Sequence, residues 1–418
     1  MTRIFMAAAA LVIFTATAQA APQININDQA GNTVLAKPGT KDIPALIDMV
    51  RGTDSFVRAQ AQYVLTGMAK EALPAVHAAL RERRCVPELI YILNGVKDES
   101  SAGVLAELLD IKDSDTLDTV KQALYAMGKE AVPYLFDALL DGSRRTPAAQ
   151  VLATLKEPSW AEAIYPYLKD EDPAIRAAAA MVERSWLDLN AEGHMAALLT
   201  DTDAGTRRDA AEYFASLAQK TETPGKEKLL SDPDEQVRMS ALKITTLNRD
   251  LRFADKFASM LKDDPSPGVR RLAAEALFRC VPAKAAPPLI GALKDPDETV
   301  ALDAAARLGE MKAKEAKLPL IAMLTAKGKP SDEVVDGVSS ALAEIGEPFD
   351  GKIFLPYVNW DNLYVVRGVF RAWEAVAVPE DIAIRDALLH YLTLSVDDRY
   401  KWRAQKLMDK LGWTGPKG

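Results

Sequence analysis

The chain has 418 residues, of which 49% are hydrophobic and 26% are charged, and its formal net charge is −8 at pH 7. This acidic balance argues against a nucleic-acid partner, because neutralising phosphates needs a basic face. It also argues against attachment to an anionic membrane surface. Length alone indicates two or three globular domains, but the chain carries an internal repeat that replaces this expectation.

Residues 1–20, MTRIFMAAAALVIFTATAQA, have the pattern of a secretory signal peptide. Arg3 gives a positive start, residues 4–18 are apolar apart from two threonines, and Ala18-Gln19-Ala20 is a small-residue cleavage site. The apolar run is shorter than the roughly 20 residues that a membrane-spanning helix needs. We therefore expect cleavage after Ala20, no membrane insertion of the mature chain, and secretion into the bacterial periplasm.

Residues 21–41 differ in pattern from the rest of the mature chain. Ile24 and Ile26 alternate with polar residues, a turn-like DQAGN segment follows, and Val34 and Leu35 come next. This pattern is compatible with a small hairpin or with an unordered arm. Strand signals are almost absent after residue 42, so residues 42–418 are predicted to be helical.

A D-x-D-x-x-x-R motif recurs in the helical part of the chain. It spans residues 232–238, and it also occurs at 201–207 and at 170–176, so that the three copies are evenly spaced. We take the arginine as the marker position of each repeat. Most marker positions follow the previous one at the spacing of these three copies, or at one residue more. The steps before Arg145, Asp336 and Arg403 are irregular. The marker positions are Arg58, Leu89, Val120, Arg145, Arg176, Arg207, Arg238, Arg270, Ala301, Asp336, Arg367 and Arg403.

Each repeat is predicted to contain two helices. The marker helix has apolar residues at helical spacing, with a small residue three positions after the marker that lets neighbouring helices approach closely: Ala61, Ala123, Ala148, Ala179, Ala210, Ala241, Ala273 and Ala304. Several marker helices are predicted to end at a glycine, which suits a left-handed C-cap: Gly67, Gly128, Gly309, Gly346 and Gly412. One helix pair cannot bury its apolar face alone, so stacking of the pairs into a solenoid is expected.

The two aspartates of the motif are predicted to have different roles. The second is expected at the helix N-cap, at Asp54, Asp172, Asp203, Asp234, Asp297 and Asp332. The first lies in the preceding turn, at Asp170, Asp201, Asp232, Asp264, Asp295, Asp361 and Asp397. We expect the marker arginine to pair with such a carboxylate in its own or an adjacent repeat, as Arg238 with Asp232, and so to fix the register of the stack. The ladder is expected to be interrupted where the marker is not arginine.

The D-x-D-x-x-V-R-x-x-A pattern resembles HEAT repeats, and especially the short bacterial HEAT-like repeats also found in phycobilin lyases. The resemblance runs from about Asp42 to the C-terminus and is most specific in residues 170–308. It implies an all-α fold, a right-handed α-solenoid of about twelve helix pairs, with the marker helices on the concave side.

The sequence offers no recognisable catalytic or cofactor-binding motif. The three histidines, His77, His194 and His390, fall in different repeats, and none forms the His-Glu pairs that a HEAT-like iron hydroxylase would need. Nucleotide-binding glycine motifs and the G-x-S-x-G elbow are also absent from the sequence. We therefore predict no catalytic residue, metal or cofactor. Cys85 and Cys280 fall in distant repeats, and we expect them not to form a disulfide within one chain.

The leading functional hypothesis is an exported, non-catalytic scaffold or adaptor that binds a protein partner in the concave groove. The alternative is a HEAT-like lyase or hydroxylase-type enzyme acting on a protein or a small molecule. Near the C-terminus, Trp360, Tyr364 and Arg371 are predicted to form a partner-contact patch, because aromatic and arginine residues are enriched at interface hot spots. Trp373 lies on the apolar stripe of the same helix and is predicted to belong to the core.

Overall fold

A computed structural model of the protein describes residues 24–26, 33–35, 39–220, 222–325, 328–394 and 398–413. The predicted signal peptide and the predicted turn aspartate Asp397 lie outside these residues. The chain divides into a first unit that ends at Trp160 and a second unit that begins at Ala161. In the described part of the chain, no helix is both long and apolar enough to cross a membrane.

The first unit begins with two short strands, β1 (Ile24–Ile26) and β2 (Thr33–Leu35), which pair antiparallel with Ile24 opposite Leu35. Helices follow for the rest of the unit. They are α1 (Ile43–Val50), α2 (Ser55–Gly67), α3 (Leu73–Arg81), α4 (Val86–Val96), α5 (Ser101–Glu107), α6 (Ser114–Met127), α7 (Val132–Leu139) and α8 (Arg145–Leu155).

The second unit is helical throughout its described residues. Its helices are α9 (Pro173–Trp186), α10 (Glu192–Leu198), α11 (Ala204–Leu217), α12 (Lys226–Leu229), α13 (Glu235–Leu247), α14 (Ala254–Asp263), α15 (Pro267–Cys280), α16 (Pro282–Ala292), α17 (Glu298–Glu310), α18 (Lys317–Met323), α19 (Asp332–Ile345), α20 (Leu363–Val376), α21 (Ile382–Thr393) and α22 (Lys401–Lys410). Short 3-10 segments, such as Pro158–Ile164 and Gly351–Phe354, stand in the place of a first helix in two repeats.

Every marker position lies in a helix: α2, α4, α6, α8, α9, α11, α13, α15, α17, α19, α20 and α22. The alanines three residues after the marker are all buried, as in Ala179, Ala210 and Ala241, each with no exposed surface. Neighbouring marker helices pack against each other, since α9 contacts α11, α11 contacts α13, and α13 contacts α15. The predicted all-α class, with helix pairs stacked as a solenoid, is confirmed within each unit.

The predicted N-cap aspartates are confirmed at five of the six positions. The side chains of Asp54, Asp172, Asp203, Asp234 and Asp297 each accept a hydrogen bond from a backbone N–H in the first helical turn. The prediction for Asp332 is wrong, because Ser331 caps α19 and accepts from the N–H of Val334. Asp332 instead accepts hydrogen bonds at 2.7 and 2.9 Å from the side-chain amides of Asn359 and Asn362.

The marker arginines of α9, α11, α13 and α15 form the expected ladder, and each of them pairs with the first aspartate of the next repeat. The pairs are Arg176–Asp201, Arg207–Asp232, Arg238–Asp264 and Arg270–Asp295. In every pair Nε and Nη2 donate to the two carboxylate oxygens at 2.7–3.0 Å. The remaining nitrogen, Nη1, donates to backbone carbonyls of the arginine's own turn, at 2.8 Å in the bond from Arg238 to Asp232 O.

The ladder has a single direction, and this corrects one expectation. Arg238 was expected to pair with the Asp232 carboxylate, but that carboxylate accepts from Arg207, and Arg238 pairs with Asp264. The guanidinium therefore joins two repeats: it contacts the backbone of its own turn and the side chain of the following one.

The ladder ends where the marker residue changes, as the sequence predicted. The methyl side chain of Ala301 has no donor to continue it, and at the next marker Asp336 reverses the charge. Arg367, one repeat further on, donates back to Asp336 at 3.0 Å. Asp361, predicted to be a ladder aspartate, forms no ion pair among the described residues, because the marker that would pair with it is Asp336.

The predicted glycine C-caps are only partly confirmed. Gly346 ends α19 with a φ of 72°, in the left-handed region. Gly309 lies inside α17 with no such conformation, and Gly67 is the last residue of α2, so these two predictions are wrong. A Cβ added at Gly309 would lie 2.9 Å from the Ala341 Cα. At this position glycine allows two neighbouring helices to approach closely.

Candidate functional site

An open cleft of about 950 Å³ lies across three neighbouring marker helices of the second unit, α11, α13 and α15. The first residue of α16, Pro282, completes its lining. The ladder pairs Arg207–Asp232 and Arg238–Asp264 join the repeats to which these three helices belong. Consecutive marker helices therefore supply most of the surface of the cleft, as expected if they line a groove.

Part of the cleft surface is apolar. Leu247 at the end of α13 is 49% exposed, and Leu272 and Phe278 on α15 are half-buried. The guanidinium of Arg307 lies 5.2 Å from the centre of the Phe278 ring and covers it from the next marker helix. These side chains offer hydrophobic contact area that is open to a ligand and supported by packed helices.

The charged groups in and around the cleft are of two kinds. The acidic ones are already paired: Arg184 donates to Glu212 at 2.7 Å, and Arg279 lies 2.7 Å from Glu275. Lys243 on α13 and Arg249 after it are exposed, and neither forms an ion pair with another described residue. The cleft thus has two cations whose charge the surrounding residues leave uncompensated.

A buried polar cluster lies beside α9, and its members are not among the residues that line the cleft. Glu183 has no exposed surface, and one of its oxygens accepts from the N–H of Asp188 at 3.1 Å. The hydroxyl of Tyr165 donates to the Asp188 carboxylate, and that of Tyr213 donates to the Asp188 carbonyl at 2.6 Å. Burial raises the pKa of Glu183 to about 7. These hydrogen bonds connect α9 and the residues after it to α11, and their donors and acceptors are all groups of the protein itself.

Sequence analysis missed Glu183, although the sequence contains a signal for it. Ile175, Ala179 and Val182 form the buried stripe of α9, and Glu183 lies on the same stripe at helical spacing. A carboxylate at a stripe position is expected to be buried, and burial raises its pKa because it disfavours the charged form. Burial likewise raises the pKa of Asp209 to about 6, against the attraction of Arg184.

The predicted C-terminal patch is not a flat exposed surface. Tyr364 is 66% exposed, whereas Trp360 is half-buried in an aromatic cluster, with its ring 5.4 Å from Tyr391 and 6.4 Å from Trp373. Arg371 donates to Glu344 on the preceding helix at 3.2 Å. Of the three predicted contact residues, only Tyr364 therefore presents most of its surface to solvent.

Trp373 is fully buried, and its indole N–H donates to the carbonyl of Gly351 at 2.8 Å. Its predicted place in the core is confirmed. The hydrogen bond satisfies the one polar group of the side chain.

The histidines are used in packing. His77 contacts the Ser101 hydroxyl at 2.8 Å, the His194 ring lies 4.6 Å from that of Tyr165, and His390 packs at 6.4 Å from Trp360. Burial lowers the pKa of both His77 and His194. No group of three or more histidine, cysteine or acidic residues suited to a metal ion occurs in the described ranges.

The two cysteines lie in different units, and both are free thiols. Cys85 borders a smaller cavity of about 330 Å³ in the first unit. Cys280 is buried at the end of α15, where its Sγ contacts the carbonyl of Thr245 at 3.8 Å and burial raises its pKa.

Comparison with known proteins supports the fold. A family model described as HEAT repeats matches residues 254–343. Importin beta, solved in an ammonium sulfate condition, aligns with a TM-score of 0.53 and 13% identity over 88% of this chain and 61% of its own. At this identity the likeness concerns the fold alone. The chain thus has a HEAT-repeat solenoid fold, while the narrower phycobilin-lyase type remains a prediction.

Two other solved structures align at lower TM-scores. One is an engineered protein, with a TM-score of 0.37 and 20% identity over 90% of this chain and 100% of its own. The other is the Escherichia coli protein YIBA, with a TM-score of 0.43 and 17% identity over 65% of this chain and 96% of its own. Comparison with curated protein sequences gives no match.

Proposed function

We propose that the mature chain is an exported, non-catalytic scaffold that binds a protein partner in the cleft formed by α11, α13 and α15. The observation that carries the proposal is the cleft itself, an open surface spanning three repeats that combines apolar side chains with cations that no described residue pairs. Stacked helical repeats create extended binding surfaces of this kind. The predicted signal peptide supports a partner in the bacterial periplasm.

The size of the cleft favours a chain segment over a compact ligand. Neighbouring helices pack roughly 10 Å apart, so three of them span on the order of 20 Å. An extended chain rises about 3.3 Å per residue, and a segment of about six residues would cross the cleft. Its volume of about 950 Å³ lies at the upper end of the range for small-molecule sites.

Site-specific photo-crosslinking in the native cell envelope tests the proposal. A photoreactive amino acid replaces Leu247 in the cleft, and a control variant carries it at Leu318, which is 71% exposed on α18. We expect a discrete protein adduct from position 247 and none from position 318. Equal adducts from both positions, or no adduct from either, would contradict binding in the cleft.

The same preparation tests export and the competing hypothesis. Mass measurement of the mature protein is expected to show cleavage after Ala20; an intact N-terminus would remove the periplasmic assignment. Recovery of a bound small molecule without a protein partner would instead support the lyase or hydroxylase-type enzyme.

A further inference from the structure

Several exposed basic groups of the second unit lie where marker helices end. Successive helices α11, α13, α15 and α17 have an exposed cation at or just after their last residues: Lys220, Arg249, Arg279 and Lys312. We call this set the basic rim. Arg249 and Arg279 also line the cleft, and Lys243 lies within it. The rim stands out against the chain as a whole, whose net charge is −8.

Backbone geometry shows that two rim cations occupy unusual positions. Arg249 and Lys312 have φ values of 49° and 53°, in the left-handed region that favours glycine. The residue after each completes a Schellman-type helix end, with Asp250 N–H bonded to Thr245 O at 2.9 Å and Ala313 N–H bonded to Leu308 O at 3.0 Å.

Cations at helix C-termini interact favourably with the helix dipole, but a lysine or arginine one turn earlier would do so without this backbone strain. The left-handed position instead holds the long side chain beyond the helix end. Among the described residues, Lys220, Lys243, Arg249 and Lys312 form no ion pair, which leaves their charges available to a ligand.

The opposite ends of the marker helices have the reverse charge. The capping carboxylates Asp203, Asp234 and Asp297 lie at the N-termini of α11, α13 and α17. A negatively charged ligand is therefore favoured at the rim, where cations form no ion pair with other described residues.

From this arrangement, and resting on the proposed function, we infer that the partner presents an acidic segment containing bulky aliphatic residues. Its carboxylates pair with Lys243 and Arg249, and an aliphatic side chain packs against Leu247, Leu272 and Phe278. The apolar contacts provide burial, while the ion pairs select the sign of the charge and raise the association rate.

Fluorescence anisotropy with the full mature chain tests the inference directly. The probe is a short fluorescein-labelled peptide of alternating glutamate and leucine. Two control peptides replace glutamate by lysine or leucine by serine. We expect binding of the glutamate-leucine peptide that weakens with added salt, and at least about tenfold weaker binding of each control peptide.

Charge reversal locates the site. Lys243→Glu combined with Arg249→Glu is expected to weaken binding at least about tenfold, the effect of losing and reversing two ion pairs. The matched control reverses Lys262 and Lys294, two exposed lysines at the ends of the non-marker helices α14 and α16, with the same change in net charge. This control is expected to change binding less than about twofold, since long-range charge effects are screened.

A second variant guards against misfolding at the helix end. Lys243→Ala combined with Arg249→Gly removes both charges and places glycine at the left-handed position, so the helix end is retained; it is also expected to weaken binding. Unchanged binding in this variant, or equal binding of the glutamate-serine peptide, would overturn the inference. Competition by inorganic phosphate at similar concentration would indicate a simple anion site and also overturn it.

The result of the peptide-binding experiments can be distinguished from the result of the photo-crosslinking test of the proposed function. A protein adduct at position 247 without binding of the acidic peptide leaves the scaffold intact and rejects the acidic segment. Failure of both experiments rejects the cleft as a docking site.

Discussion

Two adjacent arginines on α15 provide an internal test of the ladder. Arg270 and Arg271 each pair with an aspartate associated with α17, Arg270 with Asp295 and Arg271 with Asp303. The side chains of the first pair are 9% and 6% exposed, whereas those of the second are 49% and 38% exposed. The two pairs thus differ in burial, and also in geometry, because Arg270 donates to its aspartate from two nitrogens and Arg271 from Nε.

The expected effects follow from that difference. Arg270→Ala removes the two charge-assisted hydrogen bonds to Asp295 and also those from Nη1 to backbone carbonyls of its own turn. It leaves the Asp295 carboxylate buried with a backbone N–H as its remaining bond. Breaking a buried pair in this way costs about 3–5 kcal/mol. Arg271→Ala breaks an exposed pair, which contributes about 0–1 kcal/mol.

Thermal unfolding followed by circular dichroism measures the contrast. For a unit of this size each kcal/mol shifts Tm by about 2–4 °C, so Arg270→Ala is expected to lower Tm by at least about 6 °C and Arg271→Ala by no more than about 4 °C. Hydrogen exchange should show the loss at α15 and α17, because repeats contact only their neighbours.

A double variant separates the pair from the unpaired charge. Replacing Arg270 by Met together with Asp295 by Leu removes both charges, and its stability should be closer to the wild-type value than that of Arg270→Ala. Equal Tm values for the Arg270→Ala and Arg271→Ala variants would show that burial of the ladder does not determine its contribution, and the reasoning would fail.

Three further predictions concern other parts of the second unit. Glu183 keeps its proton in the folded state up to about pH 7 but loses it near pH 4.5 when unfolded. The free energy of unfolding should therefore fall by about 3 kcal/mol as pH rises through that window. Glu183→Gln should remove this fall, so urea midpoints that change equally with pH in the wild type and the variant would contradict the prediction. Gly309→Ala should lower the free energy of unfolding by about 1–3 kcal/mol, because the added Cβ meets the backbone of α19. Gly291→Ala is the control: its added Cβ has nothing within 4 Å, and it should stabilise α16 by up to about 1 kcal/mol. Equal free energies of unfolding for the two variants would refute the close approach at Gly309. Tyr364→Ala with Arg371→Ala should leave folding intact and reduce partner capture if the C-terminal patch binds; unchanged capture would exclude these two side chains.

The repeat could be predicted from sequence because it depends on local rules. Capping by Asp234 and helical spacing around Arg238 are set by residues a few positions apart, and both appear as predicted. Which aspartate Arg238 contacts could not be read in the same way, since Asp232 and Asp264 lie on either side of it. The choice depends on how far apart the stacked helices lie.

The cleft was harder to predict because it depends on residues that do not repeat. Lys243, Leu247 and Phe278 occupy exposed or half-buried positions where each repeat differs from its neighbours, and they meet only after the repeats of α13 and α15 have stacked. The predicted contact residue Trp360 shows the same difficulty, because Tyr391 on a later helix packs against its ring.

The ladder makes the joints between repeats interchangeable. Arg176 and Arg207 present Nε and Nη2 in the same way, to Asp201 and Asp232 respectively. Excising the segment 201–231 would place Asp232 directly after Thr200, where it could take the place of Asp201 as the partner of Arg176. The length of the array can therefore change by whole repeats, through duplication or loss in the gene, without requiring a new kind of joint.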